Sequence, residues 1–210
     1  MFLKILSLLY QSEIEGRRVV KKYATWRGLK WLPAKLLLPF YPYSLSALER
    51  AAREAVFLLS DLPTPELEYF GESFIVREFV EGKVAGPEGK TIAEALTRVH
   101  ERCWALGDAK FDNFLITENG LMYIDGEQAI RTCDPLKQGA DLVVASFFLM
   151  VSKGCKEVAK LLEKYPYYKQ KLVLLTPGAL ILLLPCLPTI FFRTIRKGPR
   201  TRDEGSDLVR

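Results

Sequence analysis

Histidine is nearly absent from this chain and its cysteines are widely spaced, and both features limit the sites it can form. His100 is the single histidine in 210 residues, which excludes any site that needs two imidazole groups. No C-x-x-C pair occurs among the four cysteines, which are Cys103, Cys133, Cys155 and Cys186. We therefore expect neither a zinc site nor a disulfide framework, and a reducing, cytoplasmic environment is the simpler interpretation.

Glycine is scarce near the N-terminus, where Gly16 is the only glycine in the first 27 residues. A G-x-G-x-x-G loop of the kind that covers phosphate groups is therefore absent from this region. The net charge of +5 fits a solvated basic surface as well as nucleotide, acidic-lipid or RNA partners. No motif for direct nucleic-acid recognition is present.

The composition, with 49% hydrophobic and 26% charged residues, is that of a folded protein with one domain or two small lobes. Short apolar and β-branched runs predict strands at 3–9, 17–23, 67–70 and 73–80. Between the second and third of these, residues 24–45 are aromatic and basic, and their prolines break any long helix.

Two capping boxes predict helix starts, one at Ser46 with Glu49 and one at Thr91 with Glu94. The second helix is expected to run to about Trp104. Helical spacing assigns the following residues to buried faces: Leu48, Ala51, Ala52, Ala55 and Leu59 in the first helix, and Ile92, Ala95, Leu96 and Val99 in the second.

The stretch from Asn113 to Asp125 reads as a β-hairpin with polar side chains at its open end. Asn119-Gly120 favours a two-residue type I′ turn, which would pair Glu118 with Leu121 and Ile116 with Tyr123. Phe114 would then face Asp125, so Asn113 and Asp125 would lie close together, with Asp108 in the preceding loop. Amide and carboxylate oxygens suit Mg²⁺, and the remaining aspartate would stay free as a base.

The segments "GDAKFDN" and "YIDGEQ" resemble the catalytic loop and the metal-binding step of protein-kinase-like phosphotransferases. The resemblance implies ATP and Mg²⁺ as cofactors and an α+β, two-lobed fold, with a reduced antiparallel sheet and one helix in the N-lobe and a mainly helical C-lobe. It implies a catalytic role for Asp108, γ-phosphate contact for Lys110, and Mg²⁺ binding for Asn113 and Asp125. Leu106 replaces the usual histidine of the loop, and the exposed position expected for Asp112 gives it no role.

Further segments extend the resemblance on both sides of this loop. "RRVVKKY" resembles the strand that carries the ATP-binding lysine, which would be Lys21 or, in another register, Lys22. Glu54 would be its partner, and the backbone of "REFVEG" would meet adenine at Glu78 and Val80. Asp141 resembles the aspartate that opens the central helix and holds the catalytic loop through backbone N–H groups, although an ordinary N-cap is an equally compatible interpretation.

These segments, with "IVREFVEGK" at Ile75–Lys83, resemble small atypical kinases: the archaeal kinase of the KEOPS complex, RIO-type kinases and lipopolysaccharide-sugar kinases. Only 15 residues separate Asp125 from Asp141, which is too short for a long activation segment. We therefore expect transfer of the γ-phosphate to a hydroxyl acceptor, on a protein Ser/Thr or on a small molecule or sugar. The alternative is a catalytically weak pseudokinase that acts as a nucleotide-binding scaffold, which the missing glycine-rich loop favours.

The organisation predicted from these patterns has five parts. Residues 1–80 form the N-lobe, 81–90 a hinge, 91–171 the C-lobe, 172–193 a hydrophobic segment and 194–210 a basic flexible tail. The run Leu172–Phe192 contains 21 residues without charge and is followed by "RTIRKGPRTR". Its length allows membrane association as a span or a surface hairpin, whereas its prolines favour two buried helices broken at "TPG".

Overall fold

The computed structural model describes residues 12–190, so the strand predicted at 3–9 and the tail at 194–210 lie outside the described residues. The strands are β1 (Ser12–Glu15), β2 (Arg18–Lys22), β3 (Leu67–Phe70), β4 (Phe74–Glu78), β5 (Lys83–Val84), β6 (Trp104–Ala105), β7 (Phe114–Thr117), β8 (Gly120–Tyr123) and β9 (Ile130–Arg131). The α-helices are α1 (Leu32–Leu37), α2 (Ala47–Leu58), α3 (Gly89–Glu101), α4 (Pro135–Lys153), α5 (Cys155–Lys164), α6 (Tyr168–Lys171) and α7 (Pro177–Leu183).

The α+β class predicted for a kinase-like fold is confirmed. A four-stranded antiparallel sheet in the order β1-β2-β4-β3, with α2 beside it, precedes a mainly helical part. Gly16 closes the β1–β2 turn with a positive φ of 62°, a conformation that glycine adopts without steric cost. The lobe boundaries stay predictions, and β5 of the expected hinge pairs with β7.

Helix α2 begins after Ser46, whose side chain accepts the Glu49 N–H as predicted. The expected buried face is wrong at both ends, since Leu48 is 54% and Leu59 is 72% exposed. Arg50 and Glu54 are fully buried instead. The helix packs between the sheet and the helical lobe, and charged partners on both sides neutralise these two side chains, which apolar periodicity alone does not reveal.

Residues 24–45, hereafter the cross-lobe segment, run from the sheet to the helical lobe and back. They contain a 3-10 helix (Thr25–Trp31) and α1, so no long helix forms, as the prolines predict. Trp31, Tyr41 and Tyr43 are buried in one cluster with Ala140 and Val143 of α4. The segment that separates β2 from α2 is therefore part of the helical core.

Helix α3 starts at Gly89, two residues before the predicted start. Its N-cap residue Glu88 makes no side-chain capping bond, and Glu157 of α5 accepts the Gly89 N–H at 3.0 Å instead. The Thr91–Glu94 capping box is therefore wrong, and Trp104 belongs to β6 rather than to the helix. Its predicted buried face is confirmed, because Ile92, Ala95, Leu96 and Val99 all lie in the main core cluster.

The β7–β8 hairpin forms, but the predicted register is wrong. Thr117 pairs with Gly120 and Phe114 with Tyr123, so the loop is Glu118-Asn119. Gly120 takes a positive φ of 109° as the first residue of β8, and the Thr117 side chain bonds both Asn119 N–H and Gly120 carbonyl. Local side-chain bonding therefore replaces the type I′ turn.

The expectation of unpaired cysteines is also wrong. Cys103 is bonded to Cys133, Cys155 is bonded to Cys186, and no cysteine is free. The partners are 30 and 31 residues apart, so the fold and not a local motif brings them together. The cytoplasmic interpretation rested on free thiols, and the two disulfides remove that argument.

The uncharged run from Leu172 is broken at "TPG", as one of the predicted alternatives required. A 3-10 helix (Leu172–Leu175), α7 and a 3-10 turn (Leu184–Cys186) follow one another, and Val173, Ala179 and Leu183 are buried in the core. Between residues 12 and 190, no single helix has the length and apolar composition of a membrane span. Tyr168–Leu175 and Pro177–Ile190 reach that length and composition only as a pair, bent by 80°.

Candidate active site

Lys21 is the central cation of the candidate site. Its Nζ lies 2.5 Å from Glu54 Oε2 and 2.9 Å from Asp125 Oδ1. Lys22 lies on the opposite face of the strand, where it contacts Glu13 at the surface. Because side chains alternate across a strand, only one of the two lysines can face the interior, and it is Lys21.

The charges of this cluster depend on one another. Burial disfavours the ammonium form, but the Asp125 and Glu54 carboxylates outweigh it and raise the pKa of Lys21 well above its usual value. Burial opposes ionisation of Asp125, but Lys21, Lys110 and Lys30 together lower its pKa. Burial raises the pKa of Glu54 to about 7, although Lys21 opposes the shift. Lys21 is therefore a fixed positive charge.

Tyr23 is a member of this cluster that the sequence analysis missed. Its hydroxyl donates to Glu54 Oε2 at 2.5 Å, and its ring lies 5.4 Å from Lys21 Nζ. Tyr23 directly follows β2 at the position that shares the inward face with Lys21. The period-2 spacing from Lys21 was the signal that could have found it.

Asp108 lies in the loop before β7 and is buried. Lys110 Nζ is 3.0 Å from Asp108 Oδ2, and the Asp108 backbone carbonyl accepts from Asn113 Nδ2 at 2.8 Å. Burial raises the pKa of Asp108, with Lys110 opposing that shift. Asp112 is exposed, as predicted. The structure thus brings Asp108, Lys110 and Asn113 into one short loop.

Asp141 braces this loop from inside α4. Its carboxylate accepts the Leu106 and Gly107 N–H groups, both at 2.7 Å, which confirms the predicted backbone contacts. Asp141 lies within α4 rather than at its start, where Asp134 is the N-cap, so the N-cap interpretation is wrong. His100 Nε2 lies 3.0 Å from Asp141 Oδ2, which places the single histidine behind the loop as a buried structural partner.

Two tyrosines of the cross-lobe segment also hold the loop. Tyr43 hydroxyl donates to Gly107 carbonyl at 3.2 Å, and Tyr41 hydroxyl lies within hydrogen-bond distance of Ala105 and Gln128 carbonyls. Gly107 has a φ of 69°, and a Cβ there would lie 2.6 Å from the Tyr41 ring. The bracing that a histidine at Leu106 would supply therefore comes from Asp141, as predicted, and from these two tyrosines, whose role no local sequence signal indicates.

The donor set of Asn113 and Asp125 fits a magnesium ion. Ile124 N–H donates to Asn113 carbonyl at 3.1 Å, which places Asn113 beside the residue that precedes Asp125. The described hydrogen bonds and ion pairs of Asp125 are all made by Oδ1, so Oδ2 is available to a cation. Among residues 12–190 no group of three or more His, Cys, Asp or Glu side chains could hold a metal, and Mg²⁺ would complete its shell with phosphate and water.

Gly126 brings the Asp125 loop into direct contact with α2. A Cβ at this position would lie 2.3 Å from the Phe57 ring, so only glycine allows this approach. The contact lies one turn beyond Glu54 on the same helix. The spacing of Asp125 from Glu54 therefore depends on a glycine that the motif alone does not explain.

The residues predicted to meet adenine lie at the end of β4, where Glu78 is the last strand residue and Val80 lies two positions beyond. Glu78 N–H donates to Glu66 carbonyl and Phe79 N–H to Arg17 carbonyl, so neither amide is free for adenine. Arg77 Nη1 lies 3.3 Å from the Glu78 carbonyl. Val80 N–H has no backbone partner among residues 12–190, which leaves it and the Glu78 carbonyl as the groups that the proposed adenine contact can use.

No protein-family model matches the chain, and no curated protein matches its sequence. Solved structures do match, and one of them is the kinase domain of PknI from Mycobacterium tuberculosis. The two share 14% sequence identity with a TM-score of 0.36, over 84% of this chain and 81% of that domain. Similarity at this level carries no information about activity or substrate.

Proposed function

We propose that the chain is an ATP-dependent phosphotransferase that moves the γ-phosphate to a hydroxyl group. The observation that carries the proposal is the contact of Lys21 with both Glu54 and Asp125. The Asp108–Lys110 ion pair accompanies it. A phosphoryl-transfer site needs fixed cations for the phosphates and a carboxylate for the acceptor. Residues from β2, α2 and two loops supply both.

Each residue has a separate role in this reaction. Lys21, held by Glu54, binds the α- and β-phosphates, and Lys110 contacts the γ-phosphate. Asn113 and Asp125 would hold Mg²⁺, which neutralises phosphate charge when it is bound. Asp108 accepts a hydrogen bond from the acceptor hydroxyl, and its raised pKa makes the ionised carboxylate a better proton acceptor.

The transfer breaks the bond between the γ-phosphorus and the β,γ-bridging oxygen and forms a bond to the acceptor oxygen. ADP leaves with the bridging oxygen, and the hydroxyl proton passes to Asp108. The acceptor belongs to a protein Ser/Thr or to a small molecule or sugar. Residues between Asp125 and Asp141 form a turn, β9 and the first part of α4, which favours a compact acceptor over an extended peptide.

The proposal is tested by transfer from γ-³²P-ATP and Mg²⁺ to a lysate fractionated into protein, RNA and lipid. Labelling of one fraction by the wild type, but not by Asp125→Asn, is expected. Asp125→Asn should also lose Mg²⁺-dependent thermal stabilisation by ATP, because a ligand stabilises only the form that it binds. Absence of both transfer and ATPase activity in the wild type would overturn the proposal.

A nucleotide-binding scaffold without catalysis is the second candidate, favoured by the absence of a glycine-rich loop before Lys21. Comparing thermal stabilisation by ATP with phosphoryl transfer distinguishes the two candidates. Thermal stabilisation by ATP with Mg²⁺ but no transfer to any fraction would favour the scaffold.

We also propose that the chain associates with a membrane at its surface. Several apolar side chains in and beside α7 are exposed: Leu172, Leu175, Ile181 and Leu184. Lys169 precedes them, and the sequence after residue 190 contains "RTIRKGPRTR". Apolar side chains flanked by basic residues suit the interface of a bilayer that contains anionic lipids. The 80° bend favours this surface mode over a span.

A further inference from the structure

Glu127 is a buried carboxylate that the proposed reaction does not use. Its Oε2 accepts from Arg50 Nη1 at 2.9 Å, and its Oε1 lies 2.6 Å from Lys30 Nζ. Its own N–H donates to Asp125 Oδ1 at 3.2 Å. The side chains of Glu127 and Arg50 are both 0% exposed, whereas that of Lys30 is 45% exposed.

These contacts join three elements at one point. Arg50 lies on α2, one turn before Glu54, and its Nη2 donates to Ala24 carbonyl at 2.6 Å. Lys30 belongs to the 3-10 helix of the cross-lobe segment. Glu127 therefore links the loop that carries Asp125 to the helix that carries Glu54 and to the segment between Lys21 and that helix.

The burial of this pair needs an explanation other than stability. A buried ion pair gains little over apolar side chains of the same volume, because desolvation offsets the attraction between the charges. What it does provide is geometry, since guanidinium and carboxylate groups meet in a few defined orientations. Beside it, the Gly126–Phe57 approach sets the distance between the same loop and the same helix.

We propose that Glu127 is a positioning residue that holds α2 against the Asp125 loop, so that Lys21 keeps both carboxylate partners without any modification of the chain. The proposal rests on the proposed phosphotransferase function for its consequence, although the linkage itself is independent of catalysis. Arg50 is the main partner of Glu127, and Lys30 is the accessory one. The active arrangement is in this way a fixed property of the fold.

The test compares Glu127→Gln with Glu157→Gln, a matched control. Glu157 is likewise a carboxylate with two partners, since it accepts the Gly89 N–H and pairs with Lys160, but it lies on α5 outside the site. Glu127→Gln should weaken Mg²⁺-ATP binding roughly tenfold, within the usual range of coupling between packed sites. Amide hydrogen exchange in α2 should become faster in this variant, and both quantities should be unchanged in Glu157→Gln.

A merely structural role would lower the melting temperature and leave the Kd per folded molecule unchanged. That result, or unchanged exchange in α2, would overturn the proposal. If Glu127→Gln does not fold, Lys30→Gln is the test instead, because Lys30 is only partly buried. Lys30→Gln should show a smaller loss of Mg²⁺-ATP affinity, and Lys30→Arg should recover it. Equal affinity of Lys30→Gln and Lys30→Arg would overturn the proposal. If the wild type binds Mg²⁺-ATP but does not transfer phosphate, only the proposed function is refuted. If the wild type binds no nucleotide, amide exchange in α2 of Glu127→Gln still tests the positioning role of Glu127.

Discussion

Asp108 is the residue on which catalysis depends in the proposed reaction. Asp108→Asn keeps the shape of the side chain and removes its charge and basicity, so phosphoryl transfer should fall by roughly 10²–10⁴, the usual contribution of a general base. Mg²⁺-ATP affinity should change little, since Asp108 is not a proposed metal ligand. Steady-state transfer and calorimetric binding measure the two effects.

Asp112 is the control for this substitution, because it lies in the same loop and is exposed. Asp112→Asn should retain nearly the wild-type rate. Equal transfer by the wild type and Asp108→Asn would contradict the assigned mechanism.

Glu54 makes nucleotide binding sensitive to pH in the neutral range. Burial raises its pKa to about 7, so the side chain gains a proton as the pH falls through 7 and Lys21 loses one of its two negative partners. Mg²⁺-ATP affinity should therefore weaken from pH 8 to pH 6. Titration calorimetry at several pH values measures this, and Glu54→Gln should lack the inflection near 7; an identical inflection in that variant would assign the titration to another group.

At the scale of elements, the Cys103–Cys133 disulfide fastens the strand before the catalytic loop to the residues after β9. It closes a loop of about 30 residues, and such a loop contributes about 3.6 kcal/mol by restricting the unfolded chain. Replacing both cysteines by serine should lower the free energy of unfolding by about this amount. Denaturant unfolding measures this free energy. Addition of a reductant to the wild type should lower it by at least as much. No change in either experiment would show that the disulfide does not form in solution.

The sequence predicts elements well where the signal is local. The Ser46 cap, the buried face of α3 and the break at "TPG" depend on neighbouring residues, and the structure contains all three. The sequence predicts poorly those features that depend on residues far away in the chain. Burial of Arg50 requires Glu127, and neither disulfide has a local signature.

The candidate site divides in the same way. Lys21, Glu54, Asp108 and Asp125 follow from motif order. In the structure Lys21 contacts Glu54 and Asp125, and Lys110 contacts Asp108. Tyr41, Tyr43 and Glu127 act through contacts with residues 64 to 97 positions away, so their side chains give no pattern along the chain. The predicted hairpin register was wrong for a different, local reason, because the Thr117 side chain bonds within its own turn.

At the scale of the whole molecule, the exposed residues of α7 test membrane association. Ile181→Asp with Leu184→Asp places charge on this surface and should abolish sedimentation with vesicles of phosphatidylcholine and phosphatidylglycerol, because charged side chains do not enter the apolar interface. Val56→Asp on α2 is the control, since Val56 is also exposed. Binding of the wild type should weaken in high salt, and vesicle binding that is equal in all three proteins would remove this surface from the proposal.

The cross-lobe segment also constrains the order in which the chain can fold during synthesis. Trp31, Tyr41 and Tyr43 pack against Ala140, Val143 and Ala179, which the ribosome adds roughly 100 to 150 residues later. The N-terminal half therefore lacks its packing surface when it emerges, and its aromatic side chains stay exposed to solvent and to other nascent chains. The packing of the cross-lobe segment is therefore complete only after α7 has been translated.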